Sequence, residues 1–284
     1  MSESQQKLIS CLSLILLFFL ACGGDRNYVS PERLIPDDLS GQDFSYGNLD
    51  NRNLSGKKLQ NTSFEGGLLR GTNFTEADLR GANLSALLDK ANFTDADLRG
   101  ANLTGARVDE ANFARADLRG AKLDGVCYLD TAIWTGTQLD QKWMRVIDIL
   151  QAEIKEGQDL SNKDLSFVCL HRIKLRQVNL QNANLQNADL SVADLKQANL
   201  HYANLSNALL RNADFTNVDL TDSNLKGADL TGAILIGADF ENANLTGVVG
   251  LDVSRLETEA KSIKCTIMPD GKIKVYDENQ CKAQ

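Results

Sequence analysis

The octapeptide "ADLRGANL" begins at Ala77 and again at Ala96, and "ADLRGAKL" begins at Ala116, at separations of 19 and 20 residues. A return of this kind constrains a chain more than composition does, because every copy must find the same environment. Beneath it runs a shorter beat. From Leu39 a large apolar residue comes back at every fifth position, through Phe44, Leu49, Leu54, Leu59, Phe64, Leu69, Phe74 and Leu79 to Leu84. The beat slips by one within "LSALLDKANF", resumes at Leu88 and Phe93, and continues to Tyr128. A second series runs from Leu160 to Leu245 without a slip. Two residues before each centre the chain prefers Ala, and in the place directly before the centre it prefers Asp or Asn.

A period of five fits neither a helix nor a plain strand. Two inward positions in five, one large and one small, call for a corner in every repeat, and four such sides close a square. One pentapeptide cannot cover its own Leu. Stacking encloses it above and below, which contributes roughly 1.5–3 kcal/mol for each large side chain. Stability then becomes nearly a sum over neighbouring coils, and both ends need caps. The pattern A-(D/N)-L-x-x resembles the pentapeptide-repeat family and covers most of the chain. The resemblance implies an all-β solenoid, a right-handed quadrilateral parallel β-helix with four repeats to a coil and coils stacked at roughly 4.8 Å.

That geometry predicts vertical ladders. Phe74, Phe93 and Phe113 should lie over one another inside. Asn53, Asn73, Asn92 and Asn112 form one amide column, and Asn184, Asn204, Asn224 and Asn244 another. The N-x-S/T sequons these create are by-products of the repeat. The residue lost within "LSALLDK" should be lost at a corner. Arg52 and Lys57 occupy places where Ala is preferred, and an unpaired charge cannot be buried there. The first coil or two are therefore expected to fray or to send those stems outward.

Between Tyr128 and Leu160 the beat fails. Leu139, Trp143, Val146, Ile147, Leu150 and Ile154 recur at helical spacing, an amphipathic helix with Gly157 as its C-cap. Its apolar face is expected to lid an exposed coil end. Whether it plugs a first solenoid or lies beside a continuous one, the spacing leaves open. After Leu245 the beat fails again. "DVSRLETEAKSI" suits a short helix, and "CTIMPDGKIKVYDENQC" reads as a hairpin turning at Pro-Asp-Gly. The expected organisation is a signal peptide over 1–21, a tether over 22–36, a first β-helix block over 37–128, a helical linker over 129–157, a second block over 158–250 and a cap over 251–284.

The start of the chain reads as an address. "LISCLSLILLFFLA" is an apolar run of 14, shorter than the roughly 20 residues a membrane helix needs. Lys7 precedes it, partly offset by Glu3. The run ends in "FFLACGG", and small residues before a Cys resemble the lipobox of bacterial lipoprotein signal peptides, with Phe19 where that family usually has Leu. The resemblance implies cleavage before Cys22, lipidation of Cys22, and a place on the bacterial cell envelope, at the periplasmic side or the outer membrane. Of six Cys, Cys11 would leave with the signal peptide and Cys22 would carry lipid. Four remain in an oxidising compartment, where Cys265 and Cys281 are expected to pair, and Cys127 and Cys169 to bridge across the helix.

Chemistry is sparse. The two His, His171 and His201, stand 30 residues apart, one and a half coils, and point to opposite faces, which argues against a shared metal or a His-based dyad. Nucleophile-elbow, phosphate-loop and zinc spacings are missing from the sequence, and no cofactor is expected. Asp78, Asp97 and Asp117 form one column, with Arg80, Arg99 and Arg119 two positions on. Stacked like charges repel, so mutual compensation is the plain reading of this stripe and a ligand groove the sharper one. Asp194 and Asp214, with Lys196, make a second pair that offers too few oxygens for calcium. A formal charge of −8 argues against direct nucleic-acid binding. The expectation is a non-enzymatic, lipid-anchored scaffold or protein-interaction module, held to the bilayer through Cys22 and facing a protein or envelope partner. The alternative, drawn from the quinolone-resistance members of the family, is a DNA-like gyrase binder, which an export signal disfavours.

Overall fold

The computed structural model describes residues 35–272 and residue 274. The expected signal peptide, Cys22, most of the tether and Cys281 lie outside the described residues. The backbone divides into two units, one through Gln141 and one from Lys142.

In the first unit, parallel bridges join Asp38 to Lys58, Asp43 to Ser63, Asn48 to Leu68 and Asn53 to Asn73, the four sides of one coil. The second unit opens the same way, with Asp159 on Asn179 and Asp164 on Asn184. The repeat Ala96–Gly100 shows why the pattern works. Ala96 N–H donates to Phe93 O at 3.0 Å and closes the preceding corner. Asp97 N–H reaches down to Ala77 O, while Leu98 and Gly100 N–H reach up to Asp117 O and Arg119 O. The fifth donor, Arg99 N–H, is taken by the Asp97 side chain at 3.2 Å. All five donors are used, and the preference for Asp or Asn before each centre is explained by an Asx turn.

The corner residue two after the centre adopts positive φ, as at Gly81 (67°), Asn182 (56°) and Asn212 (55°). Gly and Asn hold that conformation at low cost. Inside, Phe74, Phe93 and Phe113 stack at 4.9 and 4.8 Å. The small inward place takes Ala, or a hydroxyl with a partner: Thr62 Oγ1 donates to Leu39 O and Thr72 Oγ1 to Leu49 O. The slip falls at a corner. From Gly81 to Lys90 no intervening residue has positive φ, Ala86 fills the small inward place, and the ladder crosses as Leu68 on Leu87.

Several expectations need correction. Of the two outcomes expected for the first coil, fraying is absent and the open end with stems reaching out is found. All four of its sides are paired, and Lys57 Nζ donates to Ile35 O at 2.9 Å and to Asp37 at 2.7 Å, while Arg52 lies exposed. The first ladder also runs past Tyr128, pairing Asn112 with Ile133 and Asp117 with Gln138. One extra residue between Cys127 and Ile133 hides the beat from a strict count of five. Leu129 and Ala132 are buried, and Trp134 stacks on Phe113 at 4.5 Å, taking the place of the next Phe.

Helix α1 is shorter than its pattern, Gln141–Gln151, with Trp143, Val146 and Ile147 buried. Gly157 does not cap it. The left-handed residue that follows the helix is Glu153, and Gly157 forms the first corner of the second unit, where Gln158 N–H closes onto Lys155 O. Lys142 at the start of α1 donates to Ser166 O at 2.9 Å.

Helix α2 spans Val253–Glu259, with Asp252 as N-cap accepting from Ser254 and Arg255 N–H. It replaces one side of a coil. The ladder then resumes with Asp239 on Ser262 and Asn244 on Ile267, so the coil continues beyond residue 250. The turn at Met268–Gly271 closes through Gly271 N–H to Met268 O, and Lys274 N–H meets Thr266 O.

Two glycines separate backbone strain from crowding. Both Gly81 and Gly100 have φ of 67°, yet a Cβ at Gly81 would meet Asn61 Oδ1 at 2.5 Å and one at Gly100 would meet nothing within 4 Å. Gly100→Ala should cost about 1–2 kcal/mol, the left-handed penalty alone, and Gly81→Ala should cost more. Denaturant unfolding of the two variants is the check; equal losses would remove any role for the Asn61 contact.

Candidate interaction face

The stripe of Asp78, Arg80, Asp97, Arg99, Asp117 and Arg119 is built by the Asx turns themselves. Each carboxylate accepts the backbone N–H of the Arg two residues on, at 3.3, 3.2 and 3.1 Å. The same Arg then folds its guanidinium back onto that carboxylate in a two-pronged contact, Nε at 2.8, 2.9 and 2.9 Å and Nη2 at 2.6 Å each time. Arg80 also lies 3.7 Å from Asp97, and Arg99 3.7 Å from Asp117. At the lower end Gln60 Nε2 donates to Asp78 at 2.5 Å. The column of like charges is thereby a lattice of opposite charges, bonded within each coil and linked between coils.

The electrostatics follow from that geometry. The Arg hydrogen bond is the largest influence on each of the three carboxyls and holds it below the ordinary range, against desolvation, and at Asp97 also against the charge of Asp78. The carboxylates are 28, 30 and 17 % exposed and the arginines about half exposed. No lone carboxylate is poised as a base. The stripe presents guanidinium groups at coil spacing.

The remaining predicted residues are dispersed. His201 Nδ1 lies 2.5 Å from Thr221 Oγ1 and 3.9 Å from Asp222, on the ring of Tyr202, whereas His171 is exposed. Lys196 Nζ sits between Asp214 at 2.7 Å and Asp194 at 3.8 Å. Among the described residues no three His, Cys, Asp or Glu gather as a metal cluster would require. The Asn columns are amide-bonded in part: Asn73 to Asn53 at 3.1 Å, and Asn184, Asn204 and Asn224 in succession at 3.2 Å. Between Asn73 and Asn92 the Thr75 hydroxyl steps in. Cys127, Cys169 and Cys265 are each disulfide-bonded.

Further ion pairs on the first unit were missed from sequence, two of them close arginine contacts. Arg115 grips Asp95 with both prongs, at 2.7 and 2.6 Å. Arg107 holds Asp89 at 2.7 Å, with its guanidinium 4.7 Å from the Tyr128 ring centre. The first pair is 20 residues apart, and extending the coil period to the corner places would have found it.

The chain matches the family model "Pentapeptide repeats" over residues 53–86, 91–127, 173–212 and 213–249, in eight copies. No curated protein matches it. Among solved structures it is similar to HetL, a pentapeptide repeat protein involved in heterocyst differentiation regulation from the cyanobacterium Nostoc sp. strain PCC 7120. The identity is 28 %, with 92 % of this chain and 98 % of that one covered and a TM-score of 0.38. A pentapeptide repeat protein from the Arabidopsis thaliana thylakoid lumen is 34 % identical, covering 42 % of this chain and 85 % of that one, TM-score 0.34. QnrB1, a plasmid-mediated fluoroquinolone resistance protein, is 16 % identical over 76 % of this chain and 79 % of that one, TM-score 0.23.

Asp97 allows its two tasks to be separated. Asp97→Asn keeps the acceptor for Arg99 N–H and loses the charge; Asp97→Ala loses both. The alanine variant should be the less stable by about 1 kcal/mol, the net worth of a hydrogen bond. Because the folded carboxyl titrates below its ordinary value of 3.8, its stabilising charge is fully present above that value and is lost as pH falls through the lower folded value. Acid-unfolding curves should therefore show Asp97→Asn losing less stability than the parent below about pH 4.

Proposed function

The chain belongs to the pentapeptide-repeat family, and from that premise we propose that it is a non-enzymatic, lipid-anchored scaffold of the bacterial cell envelope, its coils wound in the family's right-handed sense. The observation that carries the reading is the ion-paired stripe. Its carboxylates are bound by backbone N–H and guanidinium groups, which leaves an ordered face fitted to contact and no free acid or base to perform chemistry. The lipobox-like "FFLACGG" supports the anchor and, with it, an exported location. Lipid chains on Cys22 would add about 0.8 kcal/mol of membrane affinity for each buried methylene, enough with several chains for stable attachment.

The test is metabolic labelling with palmitate. The parent should incorporate label into the membrane fraction and Cys22→Ala should not; unchanged labelling refutes the anchor. Fractionation separates the second reading. Its support is the charge of −8, which suits a DNA-like surface, and it requires a cytoplasmic protein that keeps residues 1–22. Recovery of that species would replace the envelope reading with the gyrase-binding one.

Export also bears on the thiols. The pairings we propose are Cys265 with Cys281 and Cys127 with Cys169, supported by the disulfide state of three of the four. Peptide mapping without reductant should recover both cross-linked pairs, and a free thiol at Cys265 would overturn the first.

A further inference from the structure

The two units do not begin alike. In the first coil of the second unit the inward Leu160, Leu165, Leu170 and Leu175 are all at most 3 % exposed. A segment ahead of that coil is fastened to it. Lys142 at the start of α1 donates to Ser166 O, and Trp143, Val146 and Ile147 of the same helix are buried. In the first coil of the first unit Leu39 and Leu54 are buried, but Phe44 and Leu49 are only half-buried. One coil on, Phe64 and Leu69 in the same columns are fully buried. Phe44 already stacks on Phe64 at 5.7 Å, so its exposure lies on the side away from the coils. The described residues thus leave part of this mouth uncovered, and an apolar coil end needs a cap.

The chain itself indicates the cover. Ile35, within the expected tether, is buried, and Lys57 Nζ holds its carbonyl at 2.9 Å and Asp37 at 2.7 Å. The segment that precedes Ile35 therefore arrives at the mouth. Its apolar residues are also on the beat. Leu34 and Val29 stand five and ten residues before Leu39, which puts Leu34 one coil period before Leu54 and Val29 one coil period before Leu49. Pro31 and Pro36 then fall at the corner places, where the other repeats take positive φ. The proline ring forbids that conformation. The segment keeps the inward residues of a coil and lacks its corners, which suits a lid and not a further turn.

We infer that residues 28–34 lie across the first coil and close it, with Val29 against Leu49 and Tyr28 against Phe44. Glu32 is opposite in charge to Arg52, which is exposed at the rim of the mouth. Where Cys22 carries lipid, only Gly23 to Asn27 then remain as a tether. Five residues span at most about 18 Å, so the closed end of the first unit is held near the bilayer. That consequence, unlike the closure, rests on the membrane-anchored reading above.

The experiment reads tryptic cleavage after Arg33 in the full chain, in phosphatidylcholine vesicles and again in a mild detergent. Each rate is divided by that of the same bond in a free peptide of residues 22–40. Closure should slow the bond at least roughly tenfold, the scale of burying one or two apolar side chains. Tyr28→Ser with Val29→Ser touches no coil residue and should return the bond to the peptide's rate. Leu49→Ser should do the same from the other side of the contact. A parent cut as fast as the peptide, or a Tyr28→Ser, Val29→Ser variant that stays protected, overturns the inference. Protection that falls on dilution gives the mouth to a second copy, and protection present in vesicles but lost in detergent gives it to lipid; either replaces the closure. The readout does not depend on lipid at Cys22, so failed palmitate labelling removes the short tether and leaves the closure standing.

Discussion

Everything in this molecule depends on a backbone that cannot satisfy itself within one repeat. Of five N–H donors, one closes the corner, one bonds the coil below and two bond the coil above, so a solitary turn leaves three unpaired. The fifth is met by a side chain, the Asp or Asn before the centre. Burial imposes the same condition, since a Leu in a square coil is covered only by the coils on either side. The chain therefore repeats because each repeat is incomplete.

The surface inherits its order from the same requirement. Carboxylates and amides are placed outside every coil to hold an N–H, and their vertical alignment follows from the ladder. Unpaired, a column of Asp would repel itself. The Arg two residues on resolves this twice, by folding onto its own Asp and by lying within 3.7 Å of the next.

Much of this could be read directly from the residues. The apolar beat located the inward faces, the Phe stack, the slip and the Asp–Arg stripe. The errors came where a count of five was too strict. A coil holding one extra residue after Cys127, or a helix in place of one side before Ser262, keeps its hydrogen bonds while losing its beat. Lys57 follows the second of the two outcomes expected of it: a long stem at an open end finds a carbonyl and a carboxylate that a buried place would not offer.

By itself the sequence determined the coil, its period and its inward residues, because burial and hydrogen bonding recur identically in every repeat and leave a periodic trace. Tertiary structure alone decided where each coil stack stops, which guanidinium meets which carboxylate, and that Gly157 serves a corner and not a helix. Those outcomes depend on what lies one coil away, and a single strand of residues carries no distance to its neighbour.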